Sequence, residues 1–194
     1  PDSHYGNMNV FGDTLITCAG LNTTIRTDLE VIPNGEYNTM DYPLHKYLCF
    51  FTEKSEPGYV SQFIRFNNRT WYASQSTGLW MSEGMHLTNF NQRDSTISNH
   101  LSRITFDNDS HLIFSSVNKV WIAEYNHDSI QLRYTIGQEV GLQGNTISWI
   151  VADRKGKLWV GTNAGLNCID LDTLYTKGTY HIRFMDEEEG YTGQ

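Results

Sequence analysis

Short runs of apolar residues that alternate with polar ones dominate this chain, and turn-forming residues separate the runs. The clearest runs are Ile147 to Ala152, Leu158 to Thr162 and Leu166 to Asp170. Such alternation predicts strands, and the gap between the first two runs, Asp153 to Gly156, has the composition of a tight turn. The pattern therefore predicts a β-meander, with a fourth strand over Tyr180 to Phe184.

The same pattern recurs earlier in the chain at an offset of 46 residues. Seven positions agree in kind: Asn99 with Asn145, Leu101 with Ile147, Ile104 with Ile150, Asp107 with Asp153, Leu112 with Leu158, Ser116 with Thr162, and Val120 with Leu166. The turn that closes the second strand recurs four times and ends at residues 21, 79, 120 and 166. A strand-only repeat with a period in the forties is typical of propeller blades.

These repeats predict an all-β fold: a β-propeller fragment of about four blades, each a four-stranded antiparallel meander, with little helix. One partial propeller domain over 1–194 would have approximate blades at 1–44, 45–90, 91–138 and 139–189, with the start of a next blade at 190–194. We therefore expect the native array to be longer. Within the second blade, Gln62 to Phe66 and Trp71 to Ser74 are predicted to form a hairpin over Asn67 and Asn68.

Composition and charge narrow the choice of partners. The net charge of -8 argues against a nucleic-acid or anionic-membrane surface, because both need clustered Lys and Arg. No apolar run approaches the length of a membrane span, and the first residues lack the features of a signal peptide. The cysteines, Cys18, Cys49 and Cys168, have no metal or redox spacing and are expected to be buried small hydrophobes.

The strongest blade signature carries a resemblance to a known family. It runs from Asn145 through Ile147, Ile150, Asp153 and Gly156, and continues over Leu158-Trp-Val-Gly-Thr162 to Gly165 and Leu166. This segment resembles the two-component regulator propeller repeat. The copy 46 residues earlier departs from this pattern, because Lys119 replaces the turn glycine and Ile113 stands in place of Trp159.

The resemblance implies a periplasmic location and a function. That family forms the sensor half of hybrid two-component histidine kinases of gut Bacteroidetes, and it serves polysaccharide utilisation. It implies that the parent protein is a histidine kinase of the inner membrane, that this segment itself is not an enzyme, and that its ligand is an oligosaccharide. The other expected partners are the remaining propeller blades of the parent chain and a second copy in a homodimer.

Six side chains are the candidates for ligand contact. Trp149 and Arg103 occupy equivalent positions in two first strands, which line the central channel of a propeller. Four amides lie at strand ends, where loops carry recognition: Asn99, Asn145, Asn163 and Gln75. The competing interpretation is blade packing for the first pair and turn capping for the amides.

Large apolar residues are assigned to the core between sheets: Trp71, Ile104, Ile150, Trp159 and Leu166.

The sequence gives little support for catalysis or metal binding. Asp107 and Asp153 are explained by hairpin turns, and no spacing pairs them or Asp170 for glycoside hydrolysis. The seven histidines stand singly, without a carboxylate cluster at metal spacing, so neither metal nor cofactor is predicted.

Three functions remain open. The first is the sensor segment just described. The second is a propeller lyase or hydrolase of the streptogramin-lyase type, which needs a His and a carboxylate or Mg²⁺ on one face. The third is a protein-interaction scaffold without a small ligand.

Overall fold

A computed structural model of the protein describes residues 5–11, 14–19, 23–28, 60–83, 86–91, 96–126 and 129–186, and the side chains of this set from residue 60 onward except His86. The strands are β1 Tyr5–Phe11, β2 Thr14–Ala19, β3 Thr23–Asp28, β4 Val60–Phe66, β5 Arg69–Ser74, β6 Gly78–Glu83, β7 His86–Asn89, β8 Arg103–Phe106, β9 Leu112–Ser115, β10 Val120–Asn126, β11 Ser129–Ile136, β12 Ile147–Ala152, β13 Lys157–Thr162, β14 Gly165–Asp170 and β15 Ile182–Met185. A 3₁₀ turn spans Gln138–Val140 and a helix, α1, spans Leu171–Lys177.

The strands form antiparallel sheets whose order follows the chain. Strands β4 to β7, β8 to β11 and β12 to β15 make three four-stranded meanders, and β1 to β3 make a three-stranded sheet. The first strands of successive sheets contact each other, β1 with β4, β4 with β8, and β8 with β12. Sheets that meet along their first strands are blades of a β-propeller, which confirms the predicted fold class.

The strand register reproduces the 46-residue offset of the sequence. Ile104 pairs with Phe114 in the third sheet, and Ile150 pairs with Val160 in the fourth. The predicted hairpin over Asn67 and Asn68 is also present, with both residues at positive φ. Predictions for residues 29–59 and for the blade start at 190–194 lie outside the described part of the chain.

One element of the fourth blade was not predicted. Asp170 ends β14, and its side chain accepts a hydrogen bond from the Thr173 backbone N–H, so it caps α1. Gly178, at φ 65°, ends the helix. The helix occupies the chain before the fourth strand, and β15 therefore begins at Ile182, two residues later than the predicted Tyr180.

The core lies between neighbouring sheets, and the pleat of each strand decides which side chains enter it. Trp71, Ile104 and Ile150 are buried as expected. The prediction is wrong for Trp159 and Leu166, which are only partly buried. These two residues share a face of the fourth sheet with Cys168, opposite the face that packs on the third sheet.

Cys168 also differs from its prediction. It is a free thiol that is partly, not fully, buried, and burial raises the pKa of this thiol. The side chains of Cys18 and Cys49 lie outside the described set. No helix within the described residues is long and apolar enough to cross a membrane.

Polar groups tie the second and third sheets together. The buried Ser61 hydroxyl donates to the carbonyl oxygens of Ala73, at 3.0 Å, and Leu101, at 2.8 Å. Gln62 Oε1 accepts from the Ile104 backbone N–H at 2.9 Å. Because these bonds lie next to the first strands, they fix the two blades in one relative position.

Candidate functional site

The blades have two ends that differ in chemistry. We call the end with the turns between first and second strands the hairpin end; these turns are 67–68, 107–111 and 153–156. The opposite end, with the turns 75–77, 116–119 and 163–164 between second and third strands, is the amide end. Four of the six predicted contact residues lie at the amide end, and the other two lie on first strands.

Asn163 and Asn145 come together at the amide end of the fourth blade. Asn163 Oδ1 accepts from the backbone N–H groups of Asn145, at 2.9 Å, and Thr146, at 3.0 Å. Asn145 Oδ1 accepts from the Thr146 hydroxyl at 3.1 Å. Asn163 therefore closes the loop that enters the first strand, whereas the Asn145 amide remains at the surface.

Asn99 and Gln75 form a second group between the second and third blades. Asn91 Nδ2 donates to Asn99 Oδ1 at 3.0 Å and to the carbonyl oxygens of Ile97 and Ser98. His100 Nδ1 donates to the Gln75 carbonyl oxygen at 2.6 Å. The backbone of Gln75 thus joins the blades, while its side chain is exposed.

Arg103 and Trp149 lie on the neighbouring first strands β8 and β12. Arg103 Nε donates to the Ser148 carbonyl oxygen at 2.6 Å, so this guanidinium links the third blade to the fourth. The Trp149 indole lies on Gly161 of the next strand, where a Cβ would come within 2.2 Å of Trp149 Nε1. Both residues therefore have packing contacts, and both keep a partly exposed surface that a ligand could reach.

The hairpin end carries a cluster that sequence reasoning missed. Asp107 Oδ1 accepts from the backbone N–H groups of Asp109, at 3.0 Å, and His111, at 2.8 Å. Its Oδ2 accepts from His111 Nδ1 at 2.9 Å and from the Tyr175 hydroxyl at 2.5 Å. The Asp107 side chain is only 4% exposed. A buried carboxylate is thus satisfied by donors from two different blades.

Tyr175 reaches Asp107 from helix α1 of the fourth blade. Its ring lies 4.4 Å from the ring of His111, measured between centroids. Burial of the phenol and its bond to Asp107 raise the pKa of Tyr175 well above its usual value, so it remains a donor at neutral pH. Only the helix places this hydroxyl over the preceding blade, and the strand periodicity used for prediction gave no signal for the helix.

A cleft of about 200 Å³ lies beside this cluster. Its lining includes acidic groups, from the 107–109 turn and Asp172, and the basic residues Arg154 and Lys155. The cleft therefore does not present a single sign of charge to a ligand.

The other two candidate carboxylates also have structural partners. Asp153 Oδ2 accepts from Trp159 Nε1 at 2.8 Å, and this bond, with backbone N–H groups in its turn, lowers the pKa of Asp153. Asp170 pairs with the Lys157 ammonium and caps α1, which together lower the pKa of Asp170 to about 2. Both carboxylates are therefore ionised acceptors, and neither has the raised pKa of a general acid.

Potential metal ligands do occur around His111. Ligand atoms of Asp107, Asp109 and His111 lie within 4.8 Å of one another. The expectation that no histidine has carboxylates at metal spacing is therefore wrong for His111. Because both oxygens of Asp107 already accept two hydrogen bonds each, the arrangement favours a hydrogen-bonded cluster over a metal centre.

Comparison with known proteins agrees with this architecture. Residues 141–164 match the model of the family described as two component regulator propeller. No curated protein is significantly similar to the chain in sequence.

Solved structures share the fold at low sequence identity. The extracellular domain assigned to the hybrid two-component system BT3049 of B. thetaiotaomicron is 18% identical over 93% of this chain, with a TM-score of 0.62. The extracellular domain assigned to BT4673 of the same organism is 17% identical over 95%, with a TM-score of 0.60. YCF48 from Cyanidioschyzon merolae is 12% identical over 96%, with a TM-score of 0.58.

The matched proteins are longer than this chain. It covers 22% of the BT3049 domain, 24% of the BT4673 domain and 60% of YCF48. The chain therefore spans about a quarter or less of the two bacterial extracellular domains that it matches.

Proposed function

We propose that this chain is an extracytoplasmic sensor segment of a hybrid two-component histidine kinase, and that its signal is an oligosaccharide. The observation that carries the proposal is the coupling of successive blades by buried polar groups. Ser61 and Gln62 join the second blade to the third, and Asp107 with Tyr175 joins the third to the fourth. Bonds of this kind would pass a displacement of one blade to the next, which a sensor needs in order to transmit ligand binding.

The comparisons support the sensor class. The family match covers the best blade signature, and two of the similar structures are extracellular domains of proteins assigned to two-component systems. The carbohydrate signal and the kinase of the parent protein are our extension of that likeness. Among the described residues, Asp107, Asp153 and Asp170 serve as caps and acceptors, and we propose that this chain is not itself an enzyme.

We also propose that a further blade of the parent chain packs on the fourth sheet. The outer face of this sheet carries Trp159, Leu166 and Cys168, all partly exposed, and Val151, which is 50% exposed. An apolar sheet face of this kind is stable in a propeller when a neighbouring blade covers it. The sensor would act as a homodimer of the parent protein.

Titration calorimetry of the chain with a panel of plant and microbial oligosaccharides tests the proposal. The expected result is heat of binding for at least one oligosaccharide with no change in its length or structure. Turnover of the sugar would favour a lyase or hydrolase. Absence of heat for the whole panel, together with capture of a defined protein partner, would favour an interaction scaffold.

A further inference from the structure

The cleft beside the Asp107 cluster is built from two blades. Its lining comes from the 107–109 turn of the third blade and from the 154–156 turn and helix α1 of the fourth. Its volume of about 200 Å³ is the space of roughly seven water molecules in the liquid. Sites for drug-sized ligands usually measure about 300–1,000 Å³, so this cleft has room only for a smaller ligand. We call it the inter-blade cleft.

Hydrogen bonds between the blades hold the walls of the inter-blade cleft in place. The Tyr175 hydroxyl donates to Asp107 Oδ2 at 2.5 Å, and Asn108 Nδ2 donates to the Asp153 carbonyl oxygen at 3.3 Å. Both bonds cross from one blade to the other, and three of these four residues line the cleft. A ligand would therefore enter a site whose walls are already positioned, which lowers the entropic cost of binding.

Four charged side chains of the lining have no ion-pair partner within the described part of the chain. Asp109 and Asp172 supply two carboxylates, and Arg154 and Lys155 supply two cations. All four residues are exposed, and none belongs to an ion pair. Asp107 adds no available charge, because its side chain is 4% exposed and already accepts from four donors. The accessible charges of the lining therefore balance without being paired.

Gly156 brings one of the carboxylates close to the basic turn. A Cβ at Gly156 would come within 2.7 Å of Asp172 Oδ1, so the absence of a side chain makes room for this carboxylate. Gly156 directly follows Lys155, yet Asp172 is paired with neither base of the turn. A simple cation in the cleft would meet the two bases, and a simple anion would meet the two acids. A ligand that carries both charges fits the lining better than either.

We propose that the inter-blade cleft binds a zwitterion of the α-amino acid class. Its ammonium pairs with Asp109 and Asp172, and its carboxylate pairs with Arg154 and Lys155. The two charges of an α-amino acid are separated by a single carbon, which suits acids and bases that line one small cleft. Because the two acids belong to different blades, the bound amino acid would join the third blade to the fourth. This second ligand goes beyond the proposed sensor function and does not depend on the oligosaccharide.

Titration with free L-α-amino acids tests whether both charges of the ligand are needed. The chain, labelled with ¹⁵N, is titrated with the common amino acids at low ionic strength, and we expect at least one of them to shift the backbone N–H signals of Asp109 and Lys155. The amino acid that binds most tightly is then compared with its N-acetyl derivative, which lacks the ammonium, and with its amide, which lacks the carboxylate. Each derivative should bind about tenfold more weakly, because it loses its ion pairs with two exposed side chains.

Two variants test the site itself. Asp109→Asn and Lys155→Gln each remove one charge with little change in shape, and each should weaken binding of the free amino acid about fivefold, as expected for one exposed ion pair. Lys177→Gln is the matched control, because Lys177 is an exposed lysine of helix α1 that does not line the cleft, and it should leave the affinity unchanged. All three substitutions lie at exposed positions, and unchanged N–H signals of the buried strands verify that each variant is folded.

The remaining outcomes each decide against the proposal. An N-acetyl derivative that binds as tightly as the free amino acid would make the cleft an anion site, and an amide that does so would make it a cation site. Binding that is equally tight in Asp109→Asn and Lys155→Gln would place the amino acid elsewhere on the chain. If no amino acid shifts any signal, the four charges are only solvated surface groups. None of these results changes the outcome of the calorimetry with oligosaccharides, so the two proposals fail separately.

Discussion

Two turns at the hairpin end, 107–111 in the third blade and 153–156 in the fourth, both begin with an aspartate, but the two aspartates have different side-chain partners. In each turn one aspartate oxygen accepts two backbone N–H groups, from residues two and four positions later. The second oxygen of Asp153 is satisfied within its own blade by Trp159. That of Asp107 is satisfied by His111 and by Tyr175 of the next blade.

This difference shows how a repeat that shapes one blade can also join two. The backbone part of the turn follows from the repeated aspartate. The side-chain hydrogen bonds depend on the residue at the position of Trp159. In the third blade this residue is Ile113, which has no hydrogen-bond donor, so the Asp107 carboxylate can accept from a hydroxyl of another blade. Four predictions distinguish the contribution of the hydrogen bonds within a turn from that of the hydrogen bond between blades.

The largest difference should come from replacing each aspartate with asparagine. Asp107→Asn keeps the side-chain oxygen that accepts from the backbone N–H groups of the turn, but it removes the oxygen that accepts from His111 and Tyr175. This loss should lower the free energy of unfolding by about 2–3 kcal/mol. Asp153→Asn deprives only Trp159 and should cost about 1 kcal/mol. Urea denaturation measures both values. Equal costs would mean that the inter-blade contact adds nothing.

Removing the hydroxyl of Tyr175 should have the next largest effect. Tyr175→Phe keeps the ring contact with His111 and loses the hydrogen bond to Asp107. The free energy of unfolding should therefore fall by about 1.5 kcal/mol, the value of a hydrogen bond to a charged acceptor. Tyr180→Phe is the control, because Tyr180 has a ring contact with Tyr134 but no hydroxyl bond among the described residues. A similar loss in both variants would contradict the assignment.

A smaller effect is expected in the fourth blade when Trp159 becomes phenylalanine. The Trp159 indole is the main cause of the lowered pKa of Asp153, so Trp159→Phe should raise that pKa towards its ordinary value. A ¹³C NMR titration of the Asp153 carboxyl measures the shift. An unchanged pKa of Asp153 would show that the backbone N–H groups of the turn are sufficient.

The smallest effect concerns the ion pair that holds the start of α1. The folded pKa of Asp170, about 2, lies below its ordinary value of 3.8, so its contribution to stability is complete above pH 4 and is lost as the pH falls towards 2. Because both partners are partly exposed, water screens the pair and this contribution is small. The stability of Asp170→Asn should therefore fall less than that of the parent chain between pH 4 and pH 2, as followed by thermal unfolding.

Features that depend on residues close together in the sequence could be predicted, whereas features that depend on distant residues could not. Local periodicity gave the strands of the fourth blade and, through the 46-residue offset, the register of the third. It overestimated the burial of Trp159 and Leu166 within this chain, because alternation defines two faces of a strand but does not say which face a sheet of the same chain covers. It also failed for α1, a seven-residue helix that is too short to show its own period.

The candidate site was harder to predict because its contacts cross between blades. Asn163 and Asn99 were identified at strand ends, and the structure gives both of them loop-closing bonds. Tyr175 and Asp107 are 68 residues apart, and the sequence around either residue does not predict that the two are hydrogen-bonded. Arg69 Nε and Trp71 Nε1, which are buried without a hydrogen-bond partner among the described residues, could not be predicted for the same reason, because a missing acceptor is visible only in three dimensions.

A double-mutant cycle on Asp107 and Tyr175 measures whether the third and fourth blades form one coupled unit. The free energies of unfolding of Asp107→Asn, Tyr175→Phe and the double variant are measured in urea. We predict that the double variant is less destabilised than the sum of the single variants, with a coupling energy of about 1–2 kcal/mol. Additive effects, within about 0.3 kcal/mol, would show instead that the bond between Asp107 and Tyr175 does not couple the two blades energetically.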